Sequence, residues 1–314
     1  MINAFHKSMI RNIDVTYAGE HWYLQVELRN DDNAVPSELE FVSQTEEEQW
    51  KDLQKSTDKK EIKVREYYEE NPIIYKINKD RFRTLDGNQF TKGSKVNIFL
   101  GCSDTFGIGM HLEDTWSYKL SEYHEGEYWN LGIPGTGVES QFRMLYHMVT
   151  KYDVQINNVF HWLPFRNRHE FLIKDKYYNN NSQFIISVPR EDDGFFKTLP
   201  KEAKEHLMSD TTSALKNISY TSAIDKLVKD RGGKYSVLNW DIIWSNPNLN
   251  KRYSGSYDMS KSFLRARDLG HPNYQCHHDI FSAFMMLKDE KDIPANTVGE
   301  FKNNSANVWN SKII

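Results

Sequence analysis

From residue 96 to about residue 287 the chain alternates short apolar runs with segments of helical spacing. No other feature constrains the fold as strongly. Val96-Asn-Ile-Phe-Leu100 opens the pattern as a β-branched and aromatic run, read as a buried strand. Thr115 to Tyr123 reads as helix and Tyr128 to Leu131 as a short strand. Val138 to Thr150 carries Phe142, Leu145, Met148 and Val149 at helical spacing, and Ile156 to Leu163 is the next strand. A helical or irregular stretch follows, including Leu199 to Val228, then a strand within Tyr235 to Trp244 and a helix from His277 to Leu287. Strands that are apolar throughout and separated by helices predict an α/β fold, a central parallel sheet covered by helices in an α/β/α arrangement.

Residues 1–94 read differently and are expected to form an amino-terminal extension. Val15 to Leu28 alternates as one or two strands around a Gly19-Glu20 turn, and Glu46 to Glu70 is a charged, solvated helix stopped by Asn71-Pro72. Residues 95–314 then form the main domain, with an insertion over about 165–234 that shapes a pocket or lid.

At 314 residues, 39% of them hydrophobic, the chain can bury a sizeable core. A formal net charge of −4 argues against a basic nucleic-acid surface, and no apolar run reaches transmembrane length. The residues Met1 to Lys7 lack the regions of a secretory signal, and two cysteines, Cys102 and Cys276, suit a reducing compartment. The expectation is a cytoplasmic protein, or one carried in a virion or released without a signal peptide, with neither nucleic acid nor membrane as partner.

Four groups carry chemistry. Gly101-Cys-Ser-Asp-Thr-Phe-Gly107 follows the first strand and presents Ser103 at its carboxyl end, where open α/β sheets bind ligands. A serine hydroxyl needs a base, because its own pKa leaves almost no alkoxide at neutral pH. Asp268-Leu-Gly-His271 supplies an acid three residues before a histidine, so that Asp268 can hold one ring nitrogen of His271 while the other takes a proton. Asn130-Leu-Gly-Ile-Pro-Gly135 ends the second strand in a loop with unhindered N–H groups, and Asn167 follows the third strand with a side-chain amide. Backbone N–H plus side-chain amide makes a workable oxyanion hole.

The order and spacing of these blocks resemble the SGNH/GDSL hydrolase superfamily, over roughly residues 75–290. Gly101 to Gly109 corresponds to the first block, Asn130 to Gly135 to the second, Phe165-Arg-Asn-Arg168 to the third, and Asp268 to His271 to the last. The resemblance implies a flavodoxin-like α/β/α fold, Ser103 as nucleophile, His271 and Asp268 completing a triad, and an oxyanion hole of the Ser103 N–H, the Gly135 N–H and Asn167. It implies a serine esterase needing no metal or organic cofactor, acting on a small-molecule or carbohydrate ester, with an O-acetyl or short acyl group expected. The chain departs from the family pattern at Cys102, where aspartate is usual, and at Arg166 and Arg168 around Asn167. Those departures keep open a non-catalytic protein of the same fold, and an O-acyltransferase stands beside the hydrolase.

Other motifs read as structure. Cys102 is a small buried residue beside the nucleophile, and His277-His278 is a capping or surface pair. Ser213-Ala-Leu-Lys216 matches a Ser-x-x-Lys pattern by chance. Trp162 and Trp240 would suit a carbohydrate or aromatic acyl partner.

Overall fold

The computed structural model describes residues 37–40, 73–80, 82–134, 136–164, 168–174, 183–188, 200–238 and 274–289, with isolated positions between 54 and 69. In chain order the strands are β1 (Ser37–Glu40), β2 (Ile74–Ile77), β3 (Arg83–Thr84), β4 (Lys95–Leu100), β5 (Glu127–Asn130), β6 (Gln155–Trp162), β7 (His169–Lys174), β8 (Gln183–Val188) and β9 (Lys234–Leu238). The helices are α1 (Ser103–Phe106), α2 (Trp116–Ser121), α3 (Val138–Tyr152), α4 (Lys201–Met208), α5 (Asp210–Asp230) and α6 (Tyr274–Asp289). The strands expected at Val15 to Leu28 lie outside the described residues, as does most of the charged Glu46 to Glu70 segment.

β5, β4, β6 and β9 form a four-stranded sheet in that spatial order, and every neighbouring pair is parallel. Parallel pairing requires crossover connections. Helices supply them, and the sheet is covered on both faces.

β4 shows how the sequence divides between the faces. Side chains alternate along a strand. Val96, Ile98 and Leu100 enter one core with Trp129, Val159 and the inner residues of α3 and α5, among them Leu145, Met148, Ile224 and Val228. Phe99 enters the other with Trp116 and Leu120 of α2, Phe160 and Trp162 of β6, and Ile280, Ala283 and Phe284 of α6. Phe99 stacks on Phe160 at 5.4 Å between centroids and meets Trp116 edge-on at 5.7 Å.

Asn97 interrupts this apolar run and is fully buried. The β4–β6 register slips by one residue between Val96 and Asn97, so that Asn157 is the extra residue of a bulge. Asn157 and Asn158 both donate their side-chain amides to Asn97 Oδ1, at 3.1 and 2.9 Å, while Asn97 Nδ2 donates to Glu125 O at 3.0 Å. A buried amide is tolerated only when satisfied in this way.

The expected insertion over 165–234 contains two different things. Its first part is the antiparallel β7–β8 hairpin. Its second part, α5, belongs to the core: its Ile224 and Val228 pack in the cluster that holds Val96 and Val159, and it is the crossover helix between β6 and β9. Parallel pairing of β6 with β9 demands such a connection, so α5 is part of the architecture.

Ahead of the parallel sheet, β1, β2 and β3 form an antiparallel sheet in that order. The β2–β3 hairpin pairs Ile77 with Arg83 and Lys76 with Thr84. Its turn closes where the Asn78 N–H donates to Phe82 O and the Phe82 N–H donates to Asn78 Oδ1, both at 3.0 Å. Phe82 and Phe90 lie in the same core cluster as Val96, so the packing runs continuously across residue 94. Asp80, in the hairpin turn, is buried and accepts from Lys151 Nζ at 2.9 Å and from the Tyr152 hydroxyl at the end of α3.

Truncating Phe99 removes a side chain that reaches both neighbouring strands and α2. Phe99→Ala is expected to lower unfolding stability by roughly 3–5 kcal/mol. Urea denaturation followed by tryptophan fluorescence measures the loss.

A serine turn at the carboxyl end of the sheet

The sheet runs outward from β4 in two directions. The chain goes from β4 to β5 on one side, then crosses to β6 on the other. The carboxyl end of β4 is therefore the point where the strand order reverses, which in open α/β sheets is where a crevice opens for a ligand. Ser103 stands three residues beyond Leu100, as the first residue of α1.

Local chemistry shapes this turn. A Cβ on Gly101 would lie 1.9 Å from Thr105 Oγ1 and 2.9 Å from Trp162 O, so only glycine lets the chain pass between β6 and α1. The turn then closes with Phe106 N–H donating to Cys102 O and Gly107 N–H to Ser103 O, each at 2.9 Å. Gly107 ends it in the left-handed region at φ 78°, where glycine is the favoured residue. The N–H groups of Ser103 and Asp104 open the helix and have no acceptor within it by geometry.

The second block docks on the first. Ile133 N–H donates to Gly101 O at 3.2 Å, and Asn130 Nδ2 donates to Thr105 O at 2.8 Å. Asn130 Oδ1 accepts from the Gly132 N–H at 2.9 Å, so one buried amide fixes both loops. β6 joins them through Trp162, whose Nε1 donates to Asp104 Oδ2 at 3.2 Å.

Ser103 is 6% exposed, and its Oγ donates to Cys102 Sγ at 3.8 Å. Sulfur is a weak acceptor, so the hydroxyl is available to a stronger base. Cys102 is buried and carries a free thiol. The other expected site residues, Gly135, Asn167, Asp268 and His271, lie outside the described residues, and of the expected set the structure places Ser103 alone. Trp162 is buried in the second core cluster, with its indole N–H on Asp104. It therefore offers no stacking face to a sugar ring, contrary to the expectation from sequence. Trp240 is outside the described residues.

Two residues from the amino-terminal sheet reach the serine turn, and sequence reasoning did not find them. Arg83 is buried and donates to Phe106 O at 3.0 Å, to Gly107 O at 2.6 Å and to Met110 O at 2.7 Å. Its guanidinium lies over the Tyr75 ring at 4.4 Å, and Tyr75 OH accepts from the Gly109 N–H at 2.8 Å. Burial lowers the Arg83 pKa from its ordinary value, opposed by the nearby Tyr75, Tyr128 and Glu113. A lone arginine in a polar segment has no sequence signal that separates it from a solvated one.

A second polar cluster sits on the α3–α5 face. His161, paired in register with Leu100, is fully buried between the Tyr235 hydroxyl, 2.7 Å from Nδ1, and Gln141 Oε1 at Nε2. Burial lowers its pKa from the usual 6.5 to about 3, so the ring is neutral. Lys216 pairs with Glu139 at 3.2 Å and also donates to Arg168 O, while Ser213 Oγ donates to Leu207 O at 3.4 Å. Lys216 and Ser213 are thus each engaged by other partners, Glu139 and Arg168 O for the one and Leu207 O for the other. His277, one half of the expected capping or surface pair, is buried and its Nδ1 accepts the Trp116 N–H at 3.2 Å. It thereby caps α2 from a neighbouring helix. His278 is exposed.

No protein-family model matches the chain, and no curated protein matches it.

The neutral His161 ties stability to pH. Its folded pKa lies below the unfolded value, so the unfolded chain binds the extra proton between pH 6.5 and about 3. Stability from this group is complete above 6.5 and falls by about 1.4 kcal/mol per pH unit below it. The stability difference between wild type and His161→Gln is expected to shrink as pH falls from about 7 to about 5. Urea unfolding at the two pH values checks this.

Proposed function

We propose that the protein is a serine hydrolase of SGNH/GDSL type that cleaves an ester bearing a short acyl group, a carbohydrate O-acetyl ester being the leading substrate class. The observation that carries this reading is the position of Ser103. It opens a tight, glycine-bounded turn at the carboxyl end of the central strand, where the order of the sheet reverses. The strand order, with the first core strand between the second and third, is the one a flavodoxin-like SGNH core requires, and it supports the finer fold assignment. The small accessible area of Ser103 suits a short acyl group.

In this reading Ser103 Oγ attacks the ester carbonyl carbon as His271 takes its proton, with Asp268 orienting the imidazole. The carbonyl oxygen becomes an oxyanion held by the Ser103 N–H, the Gly135 N–H and the Asn167 amide. Collapse breaks the bond to the alcohol, which leaves with the proton from His271. Water deprotonated by His271 then attacks the acyl-serine, and its collapse returns the proton to Ser103 and releases the acid.

A fluorophosphonate probe is expected to label Ser103, and peptide mass mapping locates the adduct. Ser103→Ala abolishes labelling and lowers kcat on a short-chain nitrophenyl ester by about 10⁴-fold or more, and His271→Ala suppresses both. Folded wild-type protein that neither labels nor hydrolyses such esters would instead identify a non-catalytic protein. Labelling accompanied by acyl transfer to sugars, with little hydrolysis, would identify an acyltransferase.

A further inference from the structure

The turn that carries Ser103 is too short to hold its own shape. α1 has four residues, and a single turn fixes many dihedral angles for very few hydrogen bonds. Residues 107–110, directly after α1, are turn and bend without regular structure. Ser103 O accepts from the N–H groups of Gly107 and Ile108, at 2.9 and 3.2 Å. The direction of Ser103 is thus coupled to peptide groups whose own positions must come from elsewhere.

We propose that Arg83 is the positioning residue of the Ser103 turn, and that the β2–β3 hairpin is an integral part of the site. The functional half of this proposal rests on Ser103 being the nucleophile. One guanidinium spans three carbonyls, those of Phe106, Gly107 and Met110, and so fixes both the end of α1 and the far end of the loop. Tyr75 completes the grip by stacking on the guanidinium and accepting the Gly109 N–H. The fit is mutual: a Cβ on Gly107 would come within 2.9 Å of Arg83 Nη1 and 2.3 Å of Thr115 Cγ2.

The chemistry chosen for the link is itself informative. A buried cation is costly to desolvate, and well-packed apolar side chains often stabilise as much as buried charge. Here the charge is offset by three charge-assisted bonds to backbone and by two aromatic faces, Tyr75 at 4.4 Å and Phe106 at 5.6 Å. Five N–H donors in a rigid fork suit the task of holding several carbonyls in fixed relation, which a lysine ammonium does not. Apolar packing could join the hairpin to the core; it could not set the angles of three peptide groups.

The test compares Arg83→Met and Arg83→Lys with Tyr152→Phe, which removes one of the two bonds that anchor Asp80 of the hairpin to the end of α3 without touching residues 106–110. Two readouts are used, the rate of fluorophosphonate labelling at Ser103 and the rate of iodoacetamide alkylation at buried Cys102. Both Arg83 variants are expected to slow labelling by roughly tenfold to a hundredfold, to lower kcat on a nitrophenyl ester to a similar extent with KM unchanged, and to speed Cys102 alkylation. Tyr152→Phe loses stability yet keeps wild-type rates in both. Native-state hydrogen exchange on the wild-type chain needs no variant: the Ile108 and Gly109 amides are expected to open together with the β2–β3 hairpin. Unchanged labelling and alkylation in folded Arg83 variants, or Ile108 and Gly109 opening independently of the hairpin, would overturn the proposal. If the wild type does not label at all, the nucleophile reading fails, and the alkylation and exchange results still decide whether Arg83 holds the turn.

Discussion

β4 is paired on both sides and covered on both faces, so each of its residues has to satisfy two layers at once. Val96, Ile98 and Leu100 commit it to the α3–α5 face, and Phe99 commits it to the α2–α6 face. With the register to β5 and β6 fixed, the end of the strand falls at one place only. Gly101 then has to be glycine because α1 and β6 both press against it, and Ser103 is delivered where the strand order reverses. A one-residue slip would exchange the two faces and bury the wrong side chains throughout. The serine is held in place by the packing of residues that precede it.

Much of this was legible because it rests on apolar patterning. The runs from Val96, Tyr128, Ile156 and Tyr235 each overlap a core strand, and the periodic segments from Val138 and His277 fall in α3 and α6. Ends differed by one to three residues, as expected where capping and not hydrophobicity sets them. β1, β2, β3, β7 and β8 were not read. β3 is only two residues long, and strands in small antiparallel sheets carry too little periodicity to stand out from turns and loops.

The interior polar groups were the least legible, and for a common physical reason. Asn97 sits in a run that otherwise reads as pure core, and its acceptors and donors come from residues 125, 157 and 158. His161 is neutral because Tyr235 and Gln141 enclose it, and nothing near it in sequence says so. Arg83 looks like a surface charge until the carbonyls of residues 106, 107 and 110 are brought to it. In each case the partner is distant in sequence, and a polar residue's burial is decided by its partners. The turn that carries Ser103 was legible from sequence because the glycines that shape it stand immediately around it.

The ties made by the β2–β3 hairpin also impose an order on the chain's assembly. Arg83 meets carbonyls 23 to 27 positions ahead of it, whereas Asp80 meets Lys151 and Tyr152 across 71 and 72 positions. During synthesis the hairpin leaves the ribosome before the segments it docks on, first residues 106–110 and later the end of α3. Loop closure of the shorter contact comes at a smaller entropic cost, so the serine turn is gripped before the hairpin is anchored at the far end of α3. A fragment begun at residue 95 would keep every strand of the parallel sheet while leaving three loop carbonyls facing an empty guanidinium site.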